Sequence, residues 1–169
     1  MDMAADGKRS AGTATETDPT TATAVAVVVR AEDAEYVPLP HGGGFTLLTD
    51  GAPLGANRLA LGPGAAGARP HFHARSAELF HVLAGTVEFR LDGAVETVGA
   101  GGTVLVPPGL PHAFGATADG PAELLAVLGP AVERFEYFRA LGRIRHGLQS
   151  FDDLLPQQER YDVHFVDRA

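Results

Sequence analysis

At 169 residues the chain is long enough to bury one core unaided, and with no cysteine it forgoes disulfides, thiolate nucleophiles, Cys-ligated zinc and iron–sulfur chemistry. A net charge of −8 argues against a nucleic-acid partner, because such binding rests on basic surface set against phosphate. No stretch reaches the roughly 18 consecutive apolar residues of a membrane-spanning helix, so no membrane association is expected.

Residues 1–24 form a Thr/Ala/Asp mixture without an aromatic residue. Such a segment offers too little apolar surface to offset its ordering entropy, and a disordered tail is expected. It contains Lys8 and Arg9 ahead of a later apolar run, yet Ser10 to Thr23 between them is not the continuous apolar core of a signal peptide, which points to a cytoplasmic protein.

Residues 25–130 read as an all-β barrel or sandwich. Short β-type runs cover Val25–Arg30, Phe45–Leu48, Arg58–Leu61, Glu78–Ala84, Thr86–Leu91, Ala94–Val98, Thr103–Val106, His112–Ala116 and Glu123–Leu128, with Gly, Pro and Asp between them. Thr86–Leu91 alternates with Val87, Phe89 and Leu91 on one face, and Asp92-Gly93 then supplies a type I′ hairpin turn. Pro107 and Pro108 cannot donate to a central ladder, so Pro107 to Pro111 is expected as a loop at the sheet's rim.

Residues 131–169 change character. Gly129-Pro130 suits a helix start, Val132, Phe135, Phe138 and Leu141 recur at three-residue steps, and Gly142 is placed to end the helix. A second helical piece is expected over Phe151 to Leu155, and Tyr161 to Val166 alternates as a last strand or extended arm.

The chemistry concentrates in His71, His73, Glu78 and His112. One residue separates His71 from His73, so on a strand both imidazoles share a face. Glu78 follows after enough chain to turn into an adjacent antiparallel strand, and His112 comes just after the proline-rich turn. Three imidazoles and a carboxylate suit a borderline divalent ion: Fe, Ni, Mn, Co, Cu or Zn. A lone His-x-His pair is more often structural; the two further donors change that balance. His81 alternates onto the opposite face from Glu78, and His41, His146 and His164 lack a partner at ligand spacing.

The same residues carry a family resemblance. His71 to Gly85 reads H-x-H-x4-E-x6-G, Gly101 to His112 reads G-x5-P-x-G-x2-H, and fifteen residues separate the two. Order and interval resemble the two motifs of the cupin superfamily, in its single-barrel, metal-binding form. Ala65 stands where the first motif expects Gly, and Ala116 where the second often has Asn; neither is a ligand position. The resemblance implies a jelly-roll barrel (a double-stranded β-helix) with a short C-terminal helical extension. It also implies one divalent transition metal held by His71, His73, Glu78 and His112.

Inward alternation places Phe80 and Val82 after Glu78, Val87 and Phe89 on the neighbouring strand, and Phe114 after His112, as walls of an apolar small-molecule pocket. Any barrel needs apolar residues inside, so filling the core is an equal reading for these. The segment from Val132 to Gly142, with Tyr161 to Phe165, resembles the tail of bacterial quercetinase-like dioxygenases. There Phe135, Tyr137 and Phe138 would close the pocket; a helix packed outside the barrel explains them as well.

This resemblance implies a dioxygenase acting on a small aromatic or enolic compound, flavonol- or polyketide-like, with O2 as co-substrate and Glu78 as both ligand and general base. The alternatives are a non-oxidative isomerase, cyclase or decarboxylase, and a small-molecule-binding module, because a fold does not settle chemistry. The apolar run Val25 to Val29 could pair with a second barrel's edge strand, and a homodimer is expected on that ground.

Overall fold

The computed structural model describes residues 25–51 and 53–169. The expected disordered tail, 1–24, lies outside them. Two antiparallel sheets face each other. The first has six strands: β1 (Glu35–Leu39), β2 (Gly43–Thr49), β3 (Gly55–Leu61), β10 (Ala122–Gly129), β5 (Ala77–Ala84) and β8 (Thr103–Val106), in that spatial order. The second has five: β11 (His164–Phe165), β4 (Ala66–Phe72), β9 (His112–Ala116), β6 (Thr86–Leu91) and β7 (Ala94–Gly99). The chain crosses repeatedly between sheets, the jelly-roll arrangement expected of this sequence.

Alternation explains which residues face inward. On β5, Glu78, Phe80 and Val82 are buried while Leu79, His81 and Leu83 face outward. On β6, Val87 and Phe89 point in, and Phe80 meets Phe89 across the sandwich with ring centroids 5.3 Å apart. Leu59 and Leu124 complete this core from β3 and β10. The hairpin of β6 and β7 closes with Leu91 opposite Ala94 across Asp92 (φ +46°) and Gly93 (φ +88°), the two positive angles that a type I′ turn demands.

Four segments of the β region depart from the sequence reading. Glu78 does not begin a strand adjacent to β4: β5 belongs to the opposite sheet and pairs with β8 and β10. The span from Ala66 to Phe72 forms β4 although Ala66-Gly67-Ala68-Arg69-Pro70 contains no β-branched residue. Pairing with β9 overrides that weak propensity, and its register shifts twice between Ala66 and His71. β1 holds Pro38, tolerated because β1 is an edge. Val25–Arg30 forms no strand; it is irregular and exposed, with no pairing partner among the described residues.

The C-terminal helix α1 runs from Phe135 to Arg145, starting later and ending later than the sequence indicates. Its first turn is capped from a distance: the Asp50 carboxylate accepts hydrogen bonds from the backbone N–H of Arg134 (2.7 Å) and of Phe135 (2.9 Å). Gly142 lies inside the helix. A Cβ there would stand 2.5 Å from Val37 Cγ1, so this glycine permits α1 to lie close against β1. After a 3₁₀ turn at Phe151–Asp153, the short helix α2 (Gln158–Tyr161) leads into β11, which pairs with β4. Tyr137, Ala140, Leu154, Tyr161 and Val163 form a second, smaller core here. No helix among the described residues is long and apolar enough to cross a membrane.

Candidate metal centre

The four expected donors meet at one end of the sandwich. His71 near the end of β4 lies directly opposite His112 at the start of β9. His73 follows just beyond β4, and Glu78 enters from β5 in the facing sheet. All four are buried, and their donor atoms lie within 4.8 Å of one another. Glu78 Oε2 stands 2.9 Å from His73 Nε2 and 3.2 Å from His112 Nε2.

The outer nitrogen of each ring is fixed by the backbone. His71 Nδ1 is 2.8 Å from the Arg69 carbonyl, His112 Nδ1 is 3.0 Å from that of Leu110, and His73 Nδ1 is 2.5 Å from that of Asp162. Donation to these carbonyls leaves each Nε2 as a bare lone pair aimed inward, the tautomer a metal requires. His73 and His112 therefore face an acceptor at both nitrogens, and a neutral imidazole has only one N–H to give. A divalent cation among the Nε2 atoms and the carboxylate removes that shortage. Ligand bonds of about 2.0–2.2 Å set opposite donors roughly 4.4 Å apart, so the observed spread closes with small inward rotations.

Electrostatics agree with the donor set. Burial, reinforced by repulsion from His112 and His73, pushes the His71 imidazole well below its usual range, so it is neutral near pH 7. Burial alone would raise the Glu78 carboxyl. Without an ion, His73 and His112 hold an Nε2 proton toward it instead, and these, with the Arg134 guanidinium nearby, outweigh burial and hold the carboxyl well below the usual range.

Asp162 anchors this arrangement from outside the barrel. Its carboxylate, 1% exposed, accepts hydrogen bonds from the backbone N–H of Ala74, Arg75 and Ser76 and from the Ser76 hydroxyl, while its own carbonyl holds His73. Burial opposes the charge, and these donors, Ser76 foremost, overcome it to keep the group ionised.

Residues 57–128 match the family model of the cupin domain. This stretch, from β3 to β10, is a cupin domain. Solved structures share its fold. An RmlC-like cupin from Shewanella frigidimarina is 23% identical, with a TM-score of 0.57 over 67% of this chain and 96% of its own. Pac13, a Streptomyces nucleoside dehydratase, is 19% identical, with a TM-score of 0.54 over 65% and 87%. The polyketide cyclase RemF from Streptomyces resistomycificus is 22% identical, with a TM-score of 0.52 over 63% and 80%. At these identities the likeness is one of fold. Among curated proteins nothing matches the chain.

The donor cluster borders a narrow cavity of about 50 Å³, into which His71 and Glu78 project. Its walls are mostly apolar. Of the expected pocket residues, Phe80, Phe114, Tyr137 and Phe138 line it. Val82, Val87 and Phe89 do not: they are fully buried in the core beyond Phe80, because the sandwich is filled there. Phe135 also misses the cavity and packs on the barrel core from α1. Phe138 packs against Phe45 with ring centroids 4.9 Å apart and planes tilted by 39°, so α1 supplies part of the cavity wall rather than only covering the outside. His81 faces outward beside the Thr103 hydroxyl, 3.0 Å away.

Three further residues belong to the site. Arg134, 6% exposed, donates from Nε to the Tyr161 carbonyl (3.0 Å), and its Nη2 stands 3.1 Å from His73 Nδ1. Asn57 lines the same cavity and is 7% exposed. Asp162 is the third. Extending β3 by one residue would have exposed Asn57, since Asn57, Leu59 and Leu61 share the inward row. Nothing local marks Asp162, whose partners lie 86 to 88 residues away.

Proposed function

We propose that the chain is a metal-dependent enzyme acting on a small aromatic or enolic compound, with dioxygenation as its reaction. The observation that carries this reading is a buried three-histidine, one-glutamate cluster opening onto a cavity walled by aromatic rings. A bound Fe, Ni, Mn, Co or Cu ion would supply Lewis acidity toward a substrate hydroxyl and reactivity toward dioxygen.

The chain's own residues supply the rest. Phe45, Phe80, Phe114 and Phe138 offer flat apolar walls suited to a planar ring and exclude water from it. Glu78 places Oε2 against the two imidazoles, while Oε1 takes no hydrogen bond among the described residues and is free to accept a proton. A carboxylate beside a divalent cation would be a weak base. It matches an enol or phenol hydroxyl better than an alcohol or an unactivated C–H bond.

A second reading, a non-oxidative lyase or cyclase, draws support from Tyr137. Burial raises its phenol to about 12, so it stays protonated beside the cavity as a proton donor. The structural relatives that are named a dehydratase and a cyclase fit this reading in kind.

One experiment separates the two. The purified protein is analysed for metal, then given a flavonol or a hydroxylated polyketide while oxygen is monitored. Substrate-dependent oxygen uptake that is lost in Glu78→Gln supports dioxygenation. Undiminished turnover under argon moves the assignment to non-oxidative chemistry, and stable zinc occupancy without any turnover moves it to a binding module.

A further inference from the structure

Asn57 is out of place on its strand. Its row of β3 continues with Leu59 and Leu61, both buried in the apolar core, yet this position holds an amide that is 7% exposed. The side chain makes no hydrogen bond with any described residue, and it lines the cavity. The amide therefore meets its hydrogen-bonding needs only through the cavity it lines, whereas a leucine would fill the row with no such need. Ligand atoms entering the cavity are the partner this geometry leaves room for.

Arg134 lines the same cavity. Its Nε is used by the Tyr161 carbonyl and its Nη2 lies against His73, leaving further N–H groups of the guanidinium unassigned among the described residues. The approach to the cavity is also cationic. An outer cleft of about 340 Å³ shares Phe45, Gly67, Tyr137 and Leu141 with the cavity and adds Arg69 and Arg145. Both are fixed in place: Arg69 lies 3.9 Å over the Phe151 ring, and Arg145 donates to the Ala66 carbonyl at 3.1 Å. In a chain of net charge −8, this path sets three arginines against one lining carboxylate, Glu78.

We infer that Asn57 and Arg134 form a recognition site for an anionic planar oxygen pair, so that the ligand of this cavity is an aromatic carboxylate or a comparably charged enolate. This rests on the proposed small-molecule function and specifies its substrate class. Arg134 supplies charge and a planar donor fork. The Asn57 amide donates to an oxygen of the same group, and the aromatic walls hold the ring.

The test uses benzoate and its neutral isostere benzamide as probes, titrated calorimetrically into the full chain both loaded with zinc and after chelation. Benzoate is expected to bind at least tenfold more tightly than benzamide. Asn57→Leu, which suits the apolar row and should fold, is expected to lose tenfold or more in benzoate affinity while keeping one zinc per chain; Asn57→Asp is expected to lose more. Benzoate and benzamide binding within twofold of each other, undiminished benzoate binding in Asn57→Leu, or no benzoate binding to the parent chain would each overturn the inference. If zinc fails to bind but the benzoate pattern holds after chelation, the metal-dependent function falls and the anion site stands. If zinc binds and the pattern is absent, only the anion site falls.

Discussion

Asp162 shows how much a single side chain can order. It sits in the left-handed region at φ +51°, and from there its carboxylate gathers the N–H groups of the Ala74–Ser76 loop while its carbonyl fixes His73. The loop it holds connects two metal-donor positions, His73 and Glu78, in facing sheets. Asp162→Asn keeps the shape but removes the charge from four hydrogen bonds. It should cost about 3 kcal/mol in urea unfolding and weaken zinc binding by roughly 10–100-fold in calorimetry; unchanged zinc affinity would show that the anchor is dispensable. Tyr137 gives a pH-dependent counterpart. Its folded-state pKa is raised by burial from 10.0 to about 12, so its contribution to stability is complete below pH 10 and lost as pH rises toward 12. Over that range the parent chain should lose roughly 2–3 kcal/mol more stability than Tyr137→Phe. Parallel stability profiles for the two would contradict this assignment.

At the scale of elements, legibility followed locality. The β6–β7 hairpin could be read in the sequence because alternation and Asp92-Gly93 lie within a few residues, and the metal donors because their spacing fits strand geometry. β4 was hidden because its residues have little intrinsic strand preference and are held by β9 and β11. The start of α1 was misplaced because Asp50, its cap, lies 84 residues earlier. Asn57 and Arg134 escaped notice for a related reason: each becomes part of the site only once separate elements converge on one cavity. Two glycines test the turn arguments. Gly93 has open space around a Cβ, so Gly93→Ala should cost only the strain of positive φ, about 1 kcal/mol. At Gly85, φ is +70° and a Cβ would lie 2.1 Å from the Pro121 carbonyl oxygen; Gly85→Ala should cost upwards of about 3 kcal/mol. Equal losses in denaturant unfolding would contradict the contact assigned to Gly85.

The whole molecule joins a filled β-sandwich core to a separate C-terminal core, and the donor cluster lies where the two meet. His71, Glu78 and His112 come from the sandwich strands, whereas His73 is held by the C-terminal segment. Metal binding should therefore stabilise the fold as a unit. Free metal at a hundred times its dissociation constant adds about 2.7 kcal/mol, and chelation should lower the thermal midpoint accordingly. A midpoint indifferent to chelation would separate the ion from the fold. The central claim, that one divalent ion is held by these four side chains, is tested most directly by anomalous diffraction from crystals grown with zinc. The account predicts a single anomalous peak bounded by Nε2 of His71, His73 and His112 and by the Glu78 carboxylate. A peak elsewhere, or none from zinc-loaded protein, would contradict it.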